Sequence, residues 1–223
     1  MENRNVIVLL GPPGSGKGTQ SMVLQRELQI PAISTGDVLR AEIAANTPLG
    51  QIVKQTITGG NLVSDDLINK VAGAQLHQPQ FAHGFVLDGY PRTVSQANFL
   101  DELLAEMGMP EPIALHLDAT TETILQRLTA RRQCPCCHRI YNQVLRPSKD
   151  GVTCDFDQVT LVTRDDDRES VILERLKAYR DQSHPVIDVY KHRRYIKIDG
   201  NLDPEVVFVL IKPLISASVS QPA

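Results

Sequence analysis

Apolar and polar positions follow one another along this chain in two rhythms. Short, mostly apolar runs occur at Val6–Leu10, Ala32–Ser34, Phe85–Leu87, Ile113–Leu117 and Tyr195–Ile198. Runs of that kind predict strands, and the fully apolar ones predict strands covered on both faces of a parallel sheet. Between them lie stretches with the apolar spacing of helices. These are Gly16–Leu28, with Val23, Leu24 and Leu28 turned inward, then Ser95–Met107, Thr120–Arg131 and Asp167–Tyr190. A last helix is predicted over Pro204–Lys212, capped by Asp203, with Pro204 at the first helical position where its missing N–H is not needed. Strands alternating with helices predict a three-layer α/β domain around a mostly parallel sheet.

Two stretches break the alternation. Residues 35–63 read as short helices with no strand and end in Thr58-Gly-Gly-Asn61. Residues 134–163 hold all four cysteines, Tyr141 and a β-forming run from Val159 to Val162. Both are candidate subdomains projecting from the carboxyl ends of the strands, where ligands bind in such sheets. Ser216–Ala223 is small and mostly polar and is expected to be a frayed tail.

Composition narrows the picture. A length of 223 residues suits one large domain with one or two small insertions. With five Phe, five Tyr and no Trp, aliphatic side chains must build the core. A formal charge of −3 argues against a general nucleic-acid binder or a membrane-surface protein, while leaving room for a local basic cleft. No apolar run approaches the ~20 residues that span a bilayer, and the first strand begins without a signal-peptide pattern before it. A cytoplasmic protein is expected, and a monomer is the simplest arrangement if both insertions must swing.

The chemistry begins where the first strand ends. Val6–Leu10 runs directly into Gly11-Pro-Pro-Gly-Ser-Gly-Lys-Gly-Thr19, in which Gly11, Gly16 and Lys17 match G-x-x-x-x-G-K. A strand, a glycine-rich turn and a lysine at the head of a helix form a polyphosphate cradle. The backbone N–H groups of Gly14, Ser15, Gly16, Lys17, Gly18 and Thr19 are expected to wrap the β-phosphate, aided by the helix field. Lys17 would bridge the β- and γ-phosphates, and Thr19 can reach phosphate or the shell of a Mg²⁺ ion. Gly18 stands where the general pattern has Ser or Thr, which points to a subclass of P-loop proteins.

Asp88 ends the apolar run Phe85–Leu87 and has the character of a carboxylate that organises Mg²⁺, directly or through water. Facing polyphosphates need cations between them, and arginine forks supply both charge and direction. Arg127 and Arg131 lie four apart and would share a helix face, Arg164 precedes Asp165-Asp-Asp167, and Arg175 follows on the next helix. Arg132, Arg168 and Arg180 read as solvated surface.

Cys134-Pro-Cys-Cys137 offers one C-x₂-C pair and Cys154-Asp-Phe-Asp157 a C-x₂-D pair, with residues 138–153 between them. Two such knuckles suit one tetrahedral zinc held by Cys134, Cys137, Cys154 and Asp157, a closed and therefore structural site. Cys136 and His138 crowd the first knuckle and remain competing ligands, and free thiols remain the alternative to metal. Disulfides do not fit a cytoplasmic setting.

Four segments together resemble the adenylate kinases of the long-lid bacterial type: Gly11–Thr19, Ser34-Thr-Gly-Asp-Val-Leu-Arg40, Asp88-Gly-Tyr-Pro-Arg-Thr93 with Gln96, and the region from Arg127 to Arg175. The resemblance spans the chain except its tail. It implies a core domain of residues 1–33, 64–129 and 168–215, a monophosphate-binding insertion at 34–63, a zinc-binding lid at 130–167 and a tail at 216–223. It further implies that Thr35, Gly36 and Arg40 contact AMP and that Arg40 and Arg92 hold its α-phosphate. Gln96 would read the adenine edge, with Asn61, Leu62, Val63, Gly89 and Tyr90 around it. By the same resemblance Arg127 and Arg131 clamp the ATP phosphates, Ile140 and Tyr141 lie against its base and ribose, and Gly200 touches the adenine through its backbone. Arg164 and Arg175 would complete the site across the transferring group, and Asp166 and Asp167 match a lid carboxylate pair. Leu202 stands two residues after this glycine, where a member of that family carries a lysine.

The implied reaction is ATP + AMP ⇌ 2 ADP with Mg²⁺. A phosphate monoester loses its second proton near pH 6, so no general base is needed, and none of the six histidines stands in a motif. Kinases of UMP, CMP or GMP are the nearest rivals. A zinc-ribbon protein binding single-stranded nucleic acid would need a basic aromatic face, whereas the cysteine region offers Tyr141 and Phe156 among aspartates. A purely structural nucleotide-binding subunit would not need the second site suggested by Ser34–Arg40 and Asp88–Gln96.

Overall fold

The computed structural model describes residues 5–217. In chain order its elements are β1 (Asn5–Leu10), α1 (Lys17–Leu28), β2 (Ala32–Ser34), α2 (Thr35–Ala44), α3 (Pro48–Thr58) and α4 (Asp65–Leu76). There follow β3 (Gly84–Asp88), α5 (Val94–Glu106), β4 (Ile113–Asp118), α6 (Thr121–Thr129), β5 (Arg131–Gln133) and β6 (Ile140–Asn142). The last are α7 (Glu169–Ala178), α8 (Val186–Tyr190), β7 (Tyr195–Asp199) and α9 (Pro204–Ala217).

The five expected strands form one sheet in the order β2-β3-β1-β4-β7, and every neighbouring pair is parallel. Strand β1 lies at its centre and shows why a fully apolar run was needed. Val6, Val8 and Leu10 pack on one face with α4, α5 and α8, through Ile68, Leu76, Leu100 and Tyr190. Ile7 and Leu9 pack on the other, with Leu24 of α1 and Val207, Ile211 and Ile215 of α9. Each such side chain contributes roughly 1.5–3 kcal/mol by leaving water. A third, smaller cluster joins Ile124 and Leu128 of α6 to Ile172 and Leu176 of α7. It binds the two helices that carry Arg127 and Arg175.

Several expected boundaries are corrected. The helix read over Thr120–Arg131 stops at Thr129, and Arg131 opens β5, which pairs antiparallel with β6. Arg127 and Arg131 therefore do not share a helix face. The stretch read as one helix over Asp167–Tyr190 holds four pieces: a 3₁₀ turn at Asp165–Asp167, α7, a π-helical turn at Tyr179–Ser183 and α8. Pro185 lacks the N–H that would continue the ladder, and the chain widens before it, with His184 N–H donating to the Tyr179 carbonyl at 2.7 Å. Helix α4 was not anticipated. Helix α9 runs to Ala217, two residues into the stretch expected to fray, and residues 218–223 lie outside the described residues.

Candidate active site

The turn between β1 and α1 is built by close approach. A Cβ on Gly11, whose φ is +134°, would lie 2.2 Å from the Leu117 carbonyl oxygen, so only glycine lets the loop fold against β4. Lys17 Nζ donates to the carbonyls of Gly11 and Pro12, each at 2.8 Å. Burial pushes its pKa down to about 8, with the Asp88 carboxylate working in the opposite direction. Burial likewise raises the Asp88 carboxyl, with Lys17 opposing. A Cβ on Gly18 would sit 3.3 Å from Asp88 Oδ2, tighter than an ordinary contact. Ser15 Oγ is buried with no hydrogen-bond partner among the described residues.

Cations converge beyond this loop. Arg131 grips Asp167 through both carboxylate oxygens, its Nε donating to Oδ2 at 2.7 Å. Arg175 reaches Asp167 Oδ1 at 3.1 Å and Asp166 Oδ2 at 3.2 Å. Arg92 Nε donates to the Gly89 carbonyl at 2.7 Å, and burial together with Arg175 lowers its pKa to about 10. Arg164 is lowered to about 10 by burial and by the nearby Arg131 and Arg40, while its Nε donates to Gln133 Oε1 at 2.6 Å. Arg40 pairs with Asp37 at 2.5 Å, yet its buried Nε has no partner among the described residues. Depressed guanidinium pKa values and a buried unpaired N–H mark a site poised for an anion.

The Thr35 hydroxyl donates to the Gly89 carbonyl at 2.9 Å, joining α2 to the loop after β3. Gln96 opens toward the same region: its Oε1 accepts from Arg92 N–H at 2.7 Å and its Nε2 donates to Asp65 Oδ1 at 2.7 Å.

Lys17, Asp88, Thr35, Gln96 and the arginines line one cleft of about 1040 Å³. Its lining includes Gly14, Gly16–Thr19, Thr35, Gly36, Arg40, Asn61–Val63, Asp88, Gly89, Arg92 and Gln96. It also includes Arg127, Arg131, Ile140, Tyr141, Arg164, Arg175 and Leu202. Ser15, Tyr90 and Gly200 are not in that lining. Tyr90 has its ring fully buried in the core and its hydroxyl on Asn69 Oδ1 at 2.8 Å. Arg127 turns its guanidinium onto the carbonyls of Gly200, Asn201 and Leu202, at 2.6, 3.1 and 3.1 Å, and so fixes the loop before α9. Asp37, Asp65 and Gln133 had escaped the sequence reading. Asp37 carried a weak signal, lying three residues before Arg40 on one helix, whereas Asp65 looked like any acid in a first helical turn.

A profile of the adenylate kinase family matches residues 9–195. The chain belongs to the adenylate kinase family. It is 43% identical over 202 residues to an adenylate kinase of Kosmotoga olearia, covering 90% of this chain and 94% of that one. It is 45% identical over 191 residues to an adenylate kinase of Thermodesulfovibrio yellowstonii, covering 86% and 89%. An adenylate kinase of Thermotoga maritima is 42% identical over 214 residues, covering 95% and 97%.

In this adenylate kinase family member the cysteines lie around β5 and β6. Ligand atoms of Cys134, Cys137, Cys154 and Asp157 lie within 4.8 Å of one another. Cys137 and Cys154 sulfurs are 3.6 Å apart, and Asp157 Oδ2 stands 3.1 Å from Cys134 Sγ and 3.8 Å from Cys154 Sγ. Sulfurs bound at about 2.3 Å to a tetrahedral zinc would be about 3.8 Å apart, so the donor set fits that ion. Cys136 is exposed, and neither it nor His138 belongs to the converging set. Among the described residues no helix is long and apolar enough to cross a membrane.

Proposed function

We propose that the chain transfers the terminal phosphoryl group of ATP to AMP, giving two ADP, with Mg²⁺. One observation carries the reading: a single cleft is lined both by the phosphate loop and by a second set of anion- and base-directed groups, Thr35, Arg40, Arg92 and Gln96. A hydrolase, a switch or an assembly subunit has no use for that second set.

In this reading the loop 14–19 and Lys17 hold the ATP phosphates, while Arg40 and Arg92 hold the AMP phosphate. Arg131, Arg164 and Arg175 lie along the transfer path. Their guanidinium groups are already ordered by Asp166, Asp167 and Gln133, so little reorganisation is needed as charge shifts. The AMP phosphate attacks in line as the dianion, and the γ-phosphoryl passes from the β-phosphate oxygen to the AMP oxygen. Mg²⁺, held through Asp88 and Thr19, would neutralise charge on the ATP phosphates. Residues 34–63 and 130–167 would close over the substrates and exclude water, which prevents loss of the phosphoryl group to hydrolysis. Ile140 and Tyr141 would meet the ATP base and ribose, with Leu202 and the Gly200 backbone nearby. Zinc on Cys134, Cys137, Cys154 and Asp157 would hold a small segment that lacks a core of its own. We further propose that the protein works as a monomer in the cytoplasm, where its nucleotides are found.

The test is to mix the protein with Mg-ATP and AMP, UMP, CMP or GMP in turn and separate the products. ADP formed with AMP alone is the expected result. Preference for another monophosphate would overturn the adenine assignment, and no transfer to any of them would overturn the enzymatic one.

A further inference from the structure

Gln96 is held from two sides before any base arrives. The backbone N–H of Arg92 can only donate, and the carboxylate of Asp65 can only accept. The side-chain amide satisfies both in one orientation, with Oε1 toward Arg92 N (2.7 Å) and Nε2 toward Asp65 Oδ1 (2.7 Å). A 180° flip would set a carbonyl oxygen against a carboxylate and an NH₂ against an N–H. An amide assignment that is normally ambiguous is thus fixed here by its partners.

Asp65 is itself held. Its Oδ2 accepts from the Thr93 hydroxyl at 2.8 Å, and Thr93 Oγ1 caps α5 by accepting from Gln96 N–H at 3.1 Å. Asp65 belongs to α4 and lies outside the lining of the cleft, so it acts on the site only through Gln96.

After these two bonds the amide keeps one N–H on Nε2 and one lone pair on Oε1. That pair of groups complements the Watson–Crick edge of adenine, where N1 accepts and the 6-amino group donates. A 6-oxopurine presents the reverse, an N1–H donor and an O6 acceptor, and would meet donor with donor and acceptor with acceptor. We infer that Asp65 is a specificity-determining positioning residue, which locks the Gln96 amide against 6-oxopurine monophosphates. The inference rests on the proposed function, in which Gln96 reads the monophosphate base.

The experiment compares kcat/KM for AMP and for inosine monophosphate, which reverses the edge without adding an amino group. Asp65→Asn is nearly isosteric, and its amide can face Gln96 with either end. The AMP:IMP preference is expected to fall by about ten- to a hundred-fold, the range of a hydrogen bond to a charged group, with KM for ATP unchanged. Thr93→Val removes the cap and one bond to Asp65 but keeps the carboxylate on Nε2. It should lower thermal stability and keep the preference. If Asp65→Asn does not fold, Asp65→Ser is measured in its place. An unchanged preference in the Asp65 variant would overturn the inference, as would an equal loss in Thr93→Val, which would make the effect one of helix capping. Gln96→Met separates the underlying reading: if this variant keeps the full preference for AMP, Gln96 does not read the base.

Discussion

At the scale of single residues, burial decides what each ionisable group can do. His116 on β4 is 5% exposed and bonded through Nδ1 to the Tyr195 hydroxyl at 2.6 Å. Burial lowers its pKa to about 4, against an ordinary value near 6.5. The folded protein therefore binds this proton less readily than the unfolded chain. Its contribution to stability is complete above about pH 6.5 and is lost as pH falls through about 4, amounting to about 3 kcal/mol. Denaturant unfolding at pH 7 and pH 5 should show this slope, and His116→Gln should flatten it; an unchanged slope would contradict the assignment. Lys17 and Asp88 were legible in the sequence because each ends or follows an apolar run in a short local pattern. The helix face read for Arg127 and Arg131 failed because Arg131 leaves the helix for β5. Asp65 was not legible, because it meets Gln96 from a position 31 residues away, across two helix starts.

At the scale of elements, the segment around β5 and β6 has little apolar core of its own. Its strands have three residues each, and Val144, Leu145, Val152 and Phe156 are exposed. With so little buried apolar area, metal would supply much of the folding energy, on the order of 10 kcal/mol in small zinc modules. Zinc removal is expected to unfold residues 131–162 at a lower temperature than the sheet. Hydrogen exchange should report early loss of protection there, while β1, β3 and β4 stay protected. One unchanged melting transition after proven zinc loss would contradict this. The five parallel strands were legible because apolar runs covered on both faces have few alternatives. The junction of α6 with β5 was not, since the bonds that draw Arg131 out of the helix come from β6 and from Asp167.

At the scale of the whole molecule, the cleft gathers an excess of positive charge, which the phosphates of the proposed substrates would balance. Asp37 on α2 pairs with Arg40 and lies 3.5 Å from Arg164, which is distant in the chain, and Arg40 stands 3.9 Å from Asp166. Bound nucleotides should therefore stabilise the fold strongly. AMP and a non-hydrolysable ATP analogue, each near a thousand-fold above its Kd, are expected to add about 4 kcal/mol apiece, about 8 kcal/mol together. That raises Tm by roughly 16–32 °C, at about 2–4 °C per kcal/mol for a chain of this size. A shift below 2 °C, with binding verified by calorimetry, would count against two phosphate subsites in this cleft.

The sequence by itself determined the sheet, the phosphate loop and the paired cysteine knuckles, because each depends mainly on neighbours close in the chain. Only the tertiary structure decided which carboxylate orders which arginine, how closely Gly18 approaches Asp88, and which way the Gln96 amide faces. Those are contacts between distant segments, and their energies arise from desolvation and pairing that exist only once the chain has closed upon itself.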